Sequence, residues 1–267
     1  MNTQIKHLAI QSDIQDRLYG FYTELFHMTS FSPDDRGAVT DGNIGLNFNQ
    51  RSPGRQAGLD HWGFDVDDLD AVKVRLQESY PSVDLLRRPP TRPYATLGSH
   101  DTDGNYFDIS TKKQANRTGV YAEGQIVKQR FRRIDHVLLR TMNASALAKF
   151  YMDVYGLGWA KEPTDGPTYH LTDGTTTFVI TQWRINDFEG GGIARPALDH
   201  IGFTVEDLEA FKEDLEALKE DNPEFAPKAW RESAEKEARL GLLRRCEYGA
   251  FQLWDPQGVL IDVSEAG

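Results

Sequence analysis

An internal repeat constrains the fold of this chain more than any other feature of its 267 residues. Segments with the same pattern occur in the same order in both halves. The matched pairs are 5–10 with 134–139, 21–26 with 150–155, 40–42 with 172–174, 59–69 with 198–208, and 94–108 with 248–262. Such ordered self-similarity predicts two copies of one structural plan. A weaker likeness between the segments around His7 and His61 divides each copy again, so four units of similar plan are expected.

Alternating apolar residues predict a strand at the start of each copy. Ile5, His7 and Ala9 share one predicted face of the first strand, and the segment around His136 follows the same pattern. Thr-Asp-Gly at 40–42 is a turn signal between short extended runs. Each unit therefore reads as a strand and a helix followed by two or three further strands.

Apolar residues spaced three or four apart predict the helices. They indicate an amphipathic helix over 13–26, with Ser12 or Asp13 as its N-cap, and a matching helix over 143–155. An insert at 223–240 is rich in Glu, Lys and Ala and has no counterpart in the first copy. We expect this insert to be partly helical.

Charge and composition exclude several classes of protein. The 30 basic and 41 acidic residues give a formal net charge of −11, which argues against nucleic-acid and anionic-membrane partners. No apolar run approaches the roughly 20 residues that span a bilayer, and the first seven residues have no apolar signal core. The single cysteine, Cys246, excludes an internal disulfide and a multi-cysteine metal cage. These features predict a soluble, cytoplasmic, globular protein.

The strongest chemical signal is an aspartate that both copies keep inside an apolar run. Asp108 follows Tyr-Phe and Asp262 follows Leu-Ile, each near the end of its copy. A carboxylate inside an apolar strand is costly unless a cation or a hydrogen-bond donor meets it. Histidines also stand at equivalent places in the four units. These histidines are His7, His61, His136 and His200.

These residues resemble the vicinal oxygen chelate superfamily, which includes glyoxalase I, fosfomycin-resistance proteins and extradiol ring-cleaving dioxygenases. The most specific feature is the module end, Asp-Pro-x-Gly with a metal-binding acid four residues after the Gly. It stands here as 255–258 with Asp262, and as the variant Asp-Thr-Asp-Gly at 101–104 with Asp108. The family's usual acid is Glu, so Asp is a departure in both copies.

The resemblance implies an α+β fold of four βαβββ modules paired into two domains, each a curled mixed sheet around a metal cup. The expected boundaries are 1–112 for the first domain, 113–130 for a linker and 131–267 for the second domain. It also implies two metal triads, His7 with His61 and Asp108, and His136 with His200 and Asp262. Two imidazoles and a carboxylate with open positions suit Fe(II), with Mn(II) or another divalent metal as the alternative. Family precedent favours the second triad, and the intact first triad makes a first site equally plausible.

The resemblance also bears on the reaction. Glyoxalase-type members use a fourth ligand, and the corresponding positions here are Leu46 and Phe178, which cannot bind a metal. Extradiol dioxygenases usually carry a Tyr ten residues before the carboxylate, where this chain has Gly98 and Gln252. Tyr94 and Tyr248 lie four residues earlier and are candidate replacements, with a core role as the alternative. His100 and His170 have no partner in the other copy and are candidates for acid–base work.

The implied function is an extradiol-type dioxygenase that cleaves a catechol-like or ene-diol small molecule with O2. Two alternatives stay open. One is a metal-dependent lyase or isomerase of the glyoxalase type, which acts through an enediolate and needs no O2. The other is a non-catalytic protein that binds a small molecule in its cups. The expected partners are the substrate and O2, and the sequence leaves homo-oligomer formation open.

Overall fold

In the computed structural model, the described residues are 2–30, 36–89, 94–111, 132–191, 193–229, 233–244 and 249–266. They form two mixed sheets with helices, which confirms the predicted α+β class with its two curled sheets. The predicted linker at 113–130 lies outside the described residues. No helix in the described part of the chain is long and apolar enough to cross a membrane.

The first sheet and its helices come from the first half of the chain. Its elements are β1 (Thr3–Ser12), α1 (Gln15–Phe26), β2 (Thr29–Ser30), β3 (Ala38–Thr40), β4 (Gly45–Gln50), β5 (Gly58–Val66), α2 (Leu69–Ser79), β6 (Leu85–Arg87), β7 (Leu97–His100) and β8 (Tyr106–Ser110). The strand order is β2-β3-β4-β1-β5-β8-β7-β6. The central strands β1 and β5 are antiparallel, and each has a parallel neighbour, β4 and β8 respectively. Each βαβββ unit therefore forms one side of the sheet.

The second sheet repeats this plan. Its elements are β9 (Arg133–Thr141), α3 (Ala144–Tyr155), β10 (Gly158–Lys161), β11 (Thr168–Thr172), β12 (Thr177–Gln182), α4 (Ile185–Gly191), β13 (Ala197–Val205), α5 (Leu208–Asp221), α6 (Ala234–Arg244), β14 (Phe251–Trp254) and β15 (Leu260–Glu265). The strand order is β10-β11-β12-β9-β13-β15-β14. Among the described residues, β6 has no counterpart here. In chain order, helix α6 stands between α5 and β14, where the first half has β6 between α2 and β7, and it lies in the region of the predicted insert.

A β-bulge precedes the first histidine of each sheet. Ile5 pairs with Phe64 and His7 with Gly63, so Lys6 is the extra residue; Asp135 is extra in the same way beside His136. Ile5 therefore joins Leu8 in the main hydrophobic core, while His7 points to the other face. The prediction that Ile5, His7 and Ala9 share a face is wrong for Ile5, because a bulge interrupts the alternation.

The predicted first helix begins later than expected. The N-cap residue is Ile14, whose side chain makes no capping hydrogen bond, and α1 starts at Gln15. Ser12 Oγ accepts a hydrogen bond from Ile14 N–H and donates one to Gln257 in the other half of the chain. Asp13 is engaged with Arg51 at 2.6 Å. Neither Ser12 nor Asp13 is therefore the N-cap residue of α1, and both side chains bond to other parts of the chain.

The hydrophobic core is continuous between the two sheets. The Phe26 ring on α1 lies 4.0 Å from the Phe203 ring on β13, and the Tyr155 ring on α3 stacks at 4.7 Å on Phe64 of β5. Each half thus places aromatic side chains of its first helix on the sheet of the other half. The face of each sheet that packs against helices α1, α2, α3 and α5 is called the helix face below, and the opposite face, which carries the histidines, is called the cup face.

Polar contacts between the halves are also reciprocal. Ile134 N–H donates to Asp41 at 2.8 Å, and Ile5 N–H donates to Asp173 at 2.6 Å. Two tyrosine hydroxyls act in the same paired way. Tyr22 donates to Asp255 at 3.1 Å and Tyr151 donates to Asp101 at 2.8 Å. The repeated turns and aromatic pairs of the sequence therefore join one half to the other.

Candidate metal centre

Three ligand-type side chains meet on the cup face of the first sheet. His7 comes from β1, His61 from β5 and Asp108 from β8, and all three are buried. Their ligand atoms lie within 4.8 Å of one another. The two Nε2 atoms are 3.3 Å apart, and His61 Nε2 is 3.4 Å from Asp108 Oδ2. The structure thus brings together the first predicted triad.

The spacing of these atoms fits a single divalent cation. Two ligands at about 2.1 Å from a metal lie about 3.0 Å apart at a right angle and about 3.4 Å apart at a tetrahedral angle. The distance between the two Nε2 atoms, 3.3 Å, and the distance from His61 Nε2 to Asp108 Oδ2, 3.4 Å, both fall in that range. Two imidazoles and one carboxylate on a single side of an ion leave positions for small molecules, a set that suits Fe(II) or Mn(II).

Hydrogen bonds to both imidazoles hold the rings in place, and the one on His61 lies on the side opposite its Nε2. His61 Nδ1 lies 2.7 Å from Asp60 Oδ2, and the Asn47 side chain hydrogen-bonds to His7. Asp60 is the extra residue of a second bulge, since Ala9 pairs with His61 and Ile10 with Leu59. The bulge therefore places a carboxylate directly behind the histidine that follows it. Such partners fix the ring orientation of metal-binding histidines.

The charges within the triad favour a neutral His7 and an ionised Asp108. Burial, reinforced by the charge of His61, lowers the pKa of His7 to about 3. Burial alone would raise the pKa of Asp108, but the hydrogen bond and charge of His61 bring it down to about 2. Burial lowers the pKa of His61, and its bonds to Asp108 and Asp60 outweigh this and raise it. The carboxylate therefore stays in its metal-binding form over the whole physiological range.

The first triad lies at the wall of an open pocket, whose empty space of about 310 Å³ includes the part that is open to solvent. The lining residues are mostly polar: His7, Asn47, Asn49, His61, Arg88, Tyr94, Ala95 and Asp108. The Tyr94 ring stacks on His7 with 4.7 Å between centroids, so this predicted catalytic residue does lie at the site. Gly63 makes this stacking possible, because a side chain there would collide with Tyr94 and His7.

Tyr106 is a site residue that the sequence reasoning missed. It lies on β8 two residues before Asp108, and its hydroxyl donates a hydrogen bond to Asp108 Oδ1. Gly98 pairs with Asp108 on the neighbouring strand, and a side chain at Gly98 would collide with the Tyr106 hydroxyl. The phenol therefore reaches the space beside the position where the family usually carries its Tyr. The available signal was the i, i+2 spacing of Tyr106 and Asp108 on one strand.

The second predicted triad is arranged differently. His136 Nε2 and His200 Nε2 lie 3.3 Å apart, as in the first cup, but His136 Nε2 is 3.9 Å from Asp262 Oδ2. Asp262 Oδ2 accepts a hydrogen bond from Gly249 N–H, and its Oδ1 accepts one from Gln252 Nε2, each at 2.7 Å. Protein donors therefore occupy both oxygens of this carboxylate. Within the described residues, only the first triad forms a compact group of potential metal ligands.

Two helices are tied to the cup face of the second sheet by buried ion pairs. Arg140, on the same face of β9 as His136, contacts Asp187 of α4 at 3.2 Å and Asp199 of β13 at 3.4 Å. Arg239 of α6 also bonds to Asp199. Burial would raise the pKa of Asp199, but these two guanidinium groups hold it well below its usual value. Asp199 Oδ2 lies 3.0 Å from His200 Nδ1. Asp199 thus has the same place relative to His200 as Asp60 has relative to His61.

The remaining predicted catalytic residues lie away from the first triad or outside the described part of the chain. His100 uses both ring nitrogens locally: Asp84 N–H donates to Nε2 at 3.0 Å, and Nδ1 lies 2.8 Å from the Asp101 carbonyl. These bonds leave His100 no nitrogen for acid–base work at the cup. His170 lies on β11, two strands from β9 in the second sheet. Tyr248 lies outside the described residues.

Comparison with protein families identifies the second half of the chain. Residues 133–263 match the model of the Glyoxalase/Bleomycin resistance protein/Dioxygenase superfamily. No curated protein matches the chain. The family match confirms the relationship expected from the repeated motifs.

Solved structures extend the likeness to the whole chain. A Mn(II)-bound glyoxalase from Novosphingobium aromaticivorans has a TM-score of 0.62 and 14% identity, over 98% of this chain and 81% of that one. The 2,3-dioxygenase LapB from Pseudomonas sp. KL28 has a TM-score of 0.61 and 15% identity, over 99% and 92%. The 2,2',3-trihydroxybiphenyl 1,2-dioxygenase from the dibenzofuran-degrading Sphingomonas wittichii strain RW1 has a TM-score of 0.61 and 14% identity, over 100% and 91%. At these identities the likeness shows the fold alone.

Proposed function

Starting from the match of residues 133–263 to this superfamily and from the fold that the whole chain shares with its glyoxalases and dioxygenases, we propose that the protein is a metal-dependent enzyme with its reaction centre in the first cup. One observation carries the proposal. His7, His61 and Asp108 point their ligand atoms at one another, within 4.8 Å, at the wall of an open pocket of about 310 Å³.

The preferred reaction is oxidative cleavage of a catechol-like or ene-diol substrate by O2. The ligand set suits Fe(II), which would supply a Lewis acid and an electron carrier between the substrate and O2. The protein's own contribution is to hold the ion on one side through His7, His61 and Asp108. Tyr94 and Tyr106 add phenol groups near the ligands, and the Tyr106 hydroxyl is already hydrogen-bonded to Asp108.

The choice of the first cup departs from the family precedent for the second domain. In the second cup, Gly249 and Gln252 already hydrogen-bond to both oxygens of Asp262. A metal there would share an oxygen of Asp262 with one of these donors, each of which makes a charge-assisted hydrogen bond to a buried carboxylate. The first cup offers a carboxylate whose Oδ2 already faces His61 at 3.4 Å.

A metal-dependent isomerase or lyase that works through an enediolate is the second candidate. The Mn(II)-bound glyoxalase among the similar structures and the polar lining of the first pocket favour it. The asparagine amides of Asn47 and Asn49 suit hydroxyl and carbonyl groups. The two candidates differ in their need for O2, which makes them separable by one measurement.

Metal stoichiometry tests the location, and oxygen uptake tests the reaction. Protein purified anaerobically and loaded with Fe(II) or Mn(II) is expected to bind one ion per chain. His61→Ala should abolish this binding, whereas the matched variant His200→Ala should retain it. The Fe(II) form should consume O2 with some members of a panel of catechols. Turnover of hydroxyketone or hemithioacetal substrates without O2 would establish the isomerase instead. Metal retained in His61→Ala and lost in His200→Ala would overturn the assignment to the first cup.

A further inference from the structure

Arg88 is a charged group in the first pocket that the triad does not need. It follows β6 directly and lines the pocket, and 17% of its side chain is exposed. Its Nε lies 3.8 Å from Asp108 Oδ1, beyond hydrogen-bond distance, and among the described residues this buried Nε has no hydrogen-bond partner. Its guanidinium carbon lies 5.4 Å from the centre of the Tyr106 ring. Arg88 is therefore held beside the triad with donor capacity left over.

The charge of the pocket is unbalanced once a divalent ion is bound. Arg88 contributes +1 and Asp108 contributes −1, and the other lining residues are imidazoles, amides, a phenol and an alanine. A divalent ion raises the sum to 2 + 1 − 1 = +2, with the imidazoles neutral. Asp60 does not offset this charge, because it lies behind His61 and pairs with Arg55 at 3.2 Å. A pocket with excess positive charge favours an anionic ligand.

The metal position and the Arg88 guanidinium lie at different oxygens of Asp108, so each can bind a different part of one ligand. The metal position is defined by His7 Nε2, His61 Nε2 and Asp108 Oδ2, whereas Arg88 approaches the other oxygen of Asp108. A ligand that chelates the metal through two adjacent oxygens can therefore extend a further acidic group towards Arg88. The planar guanidinium matches a carboxylate in a two-bond arrangement, which a lysine does not reproduce.

We propose that the first cup selects a small organic acid, with two neighbouring oxygens for the metal and a carboxylate for Arg88. The inference rests on the proposed metal site in the first cup and adds the substrate class to it. Arg88 acts here as a specificity-determining residue. The amides of Asn47 and Asn49, which line the same pocket, complete an environment suited to an oxygen-rich molecule.

Binding to a redox-inert form of the protein tests this selection without any turnover. The Zn(II)-loaded protein is titrated by calorimetry with 3,4-dihydroxybenzoate and with catechol, which differ only in the carboxylate. The wild-type protein should bind the acid about tenfold more tightly than catechol, the effect of one charge-assisted contact. Arg88→Gln should lose that preference, while its affinity for catechol changes less than threefold.

Two further variants keep the result interpretable. Arg87→Gln changes an exposed neighbour and should preserve the preference for the acid. Arg88→Lys keeps the charge but not the two-bond geometry, and should bind the acid with intermediate affinity. If Arg88→Gln fails to fold or to bind Zn(II), the test rests on Arg88→Lys, whose affinity for 3,4-dihydroxybenzoate relative to catechol should fall below that of the wild type.

The outcomes distinguish this inference from the proposed function. No preference for the acid in the wild type, or an unchanged preference in Arg88→Gln and Arg88→Lys, would overturn the role of Arg88. An acid preference that depends on Arg88, together with no O2 uptake by the Fe(II) form, would preserve the substrate class and reject the dioxygenase. Zn(II) binding that survives His61→Ala would remove the proposed site, and the inference with it.

Discussion

At the scale of single residues, the positions directly before the candidate metal-binding histidines say as much about the cups as the histidines themselves. Asp60 and Asp199 are the extra residues of equivalent bulges, and each lies beside the Nδ1 atom of the following histidine. A strand with strict alternation would turn these carboxylates to the opposite face. The bulge instead puts ligand and orienting group next to each other in the sequence.

Removal of the Asp60 carboxylate should weaken metal binding in the first cup. We expect Asp60→Ala to lower the affinity about 10–100-fold, because His61 loses the partner that fixes its ring. Asp60→Asn keeps an oxygen acceptor and should lose less. Competition with a chromophoric chelator measures the affinity, and Asp70→Ala, an exposed change on α2, is the matched control. An Asp60→Ala protein that binds metal as tightly as the control would show that Asp60 does not orient His61.

The sequence located the six histidine and aspartate positions because the repeat aligned them, but it did not separate the two cups. The difference lies in Gln252 and Gly249, which hydrogen-bond to Asp262, and in Tyr106, which bonds to Asp108. The contacts of Gly249 and Gln252 with Asp262 reach a neighbouring strand, and their registers depend on turns and bulges. Periodicity within one strand carries no information about those two contacts, whereas the i, i+2 spacing on β8 does place Tyr106 on the same face as Asp108.

At the scale of elements, the turns that end each half are built around a buried aspartate. Asp255 Oδ1 accepts the N–H groups of Gly258 and Val259 between β14 and β15, and Gly258 adopts a positive φ of 100° that favours glycine. Burial, only partly offset by these hydrogen bonds, raises the pKa of Asp255 to about 6. This turn therefore binds a proton at a pH where an exposed aspartate would not.

Asp255 should make the stability of the protein depend on pH between about 4 and 6. In this window the folded state holds a proton at Asp255 that the unfolded chain has released, so acidification stabilises the fold. Relative to Asp255→Asn, the wild-type free energy of unfolding should rise by about 2 kcal/mol as the pH falls from 6 to 4. Urea unfolding at several pH values measures the difference between the two proteins, in which other titrating groups cancel. A difference that stays constant would contradict the raised pKa.

Strand and helix types were predictable for the repeated segments, and their ends were less so. The helix predicted over 13–26 starts at Gln15, because Ser12 and Asp13 bond to Gln257 and Arg51. The predicted insert contains α6, but its attachment to Asp199 through Arg239 depends on the distant strand β13. Local propensity fixes what an element is, and tertiary contacts decide where it stops.

At the scale of the whole molecule, the repeated residues serve the contact between the halves as well as the plan within each half. Phe64 and Phe203 occupy equivalent places in the two sheets, and each receives aromatic side chains from the first helix of the other half. Asp41 and Asp173 act in the same crossed manner on Ile134 and Ile5. The resemblance predicted two domains but not this exchange, since a repeat does not state which copy a residue contacts.

The shared core should make the two halves unfold together. Phe203→Ala removes a fully buried ring at the junction, and we expect it to lower the free energy of unfolding by about 3–5 kcal/mol. Far-UV circular dichroism and tryptophan fluorescence should give one coincident urea transition for the wild type and for the variant. Phe188→Ala, at a half-exposed position on α4, is the control and should cost much less. Two separate transitions in the wild type would show that the halves are energetically independent.

The crossed contacts between the halves have a consequence for the history of the chain. Because each half presents the same surface to the other, two identical copies of one half could pair through that surface about a twofold axis. In such a symmetric dimer one gene would encode both cups, and a mutation that closed one would close both. Fusion into a single polypeptide gives each cup its own codons. The second cup face, to which ion pairs attach α4 and α6, and the open pocket beside His61 are the divergence that this independence permits.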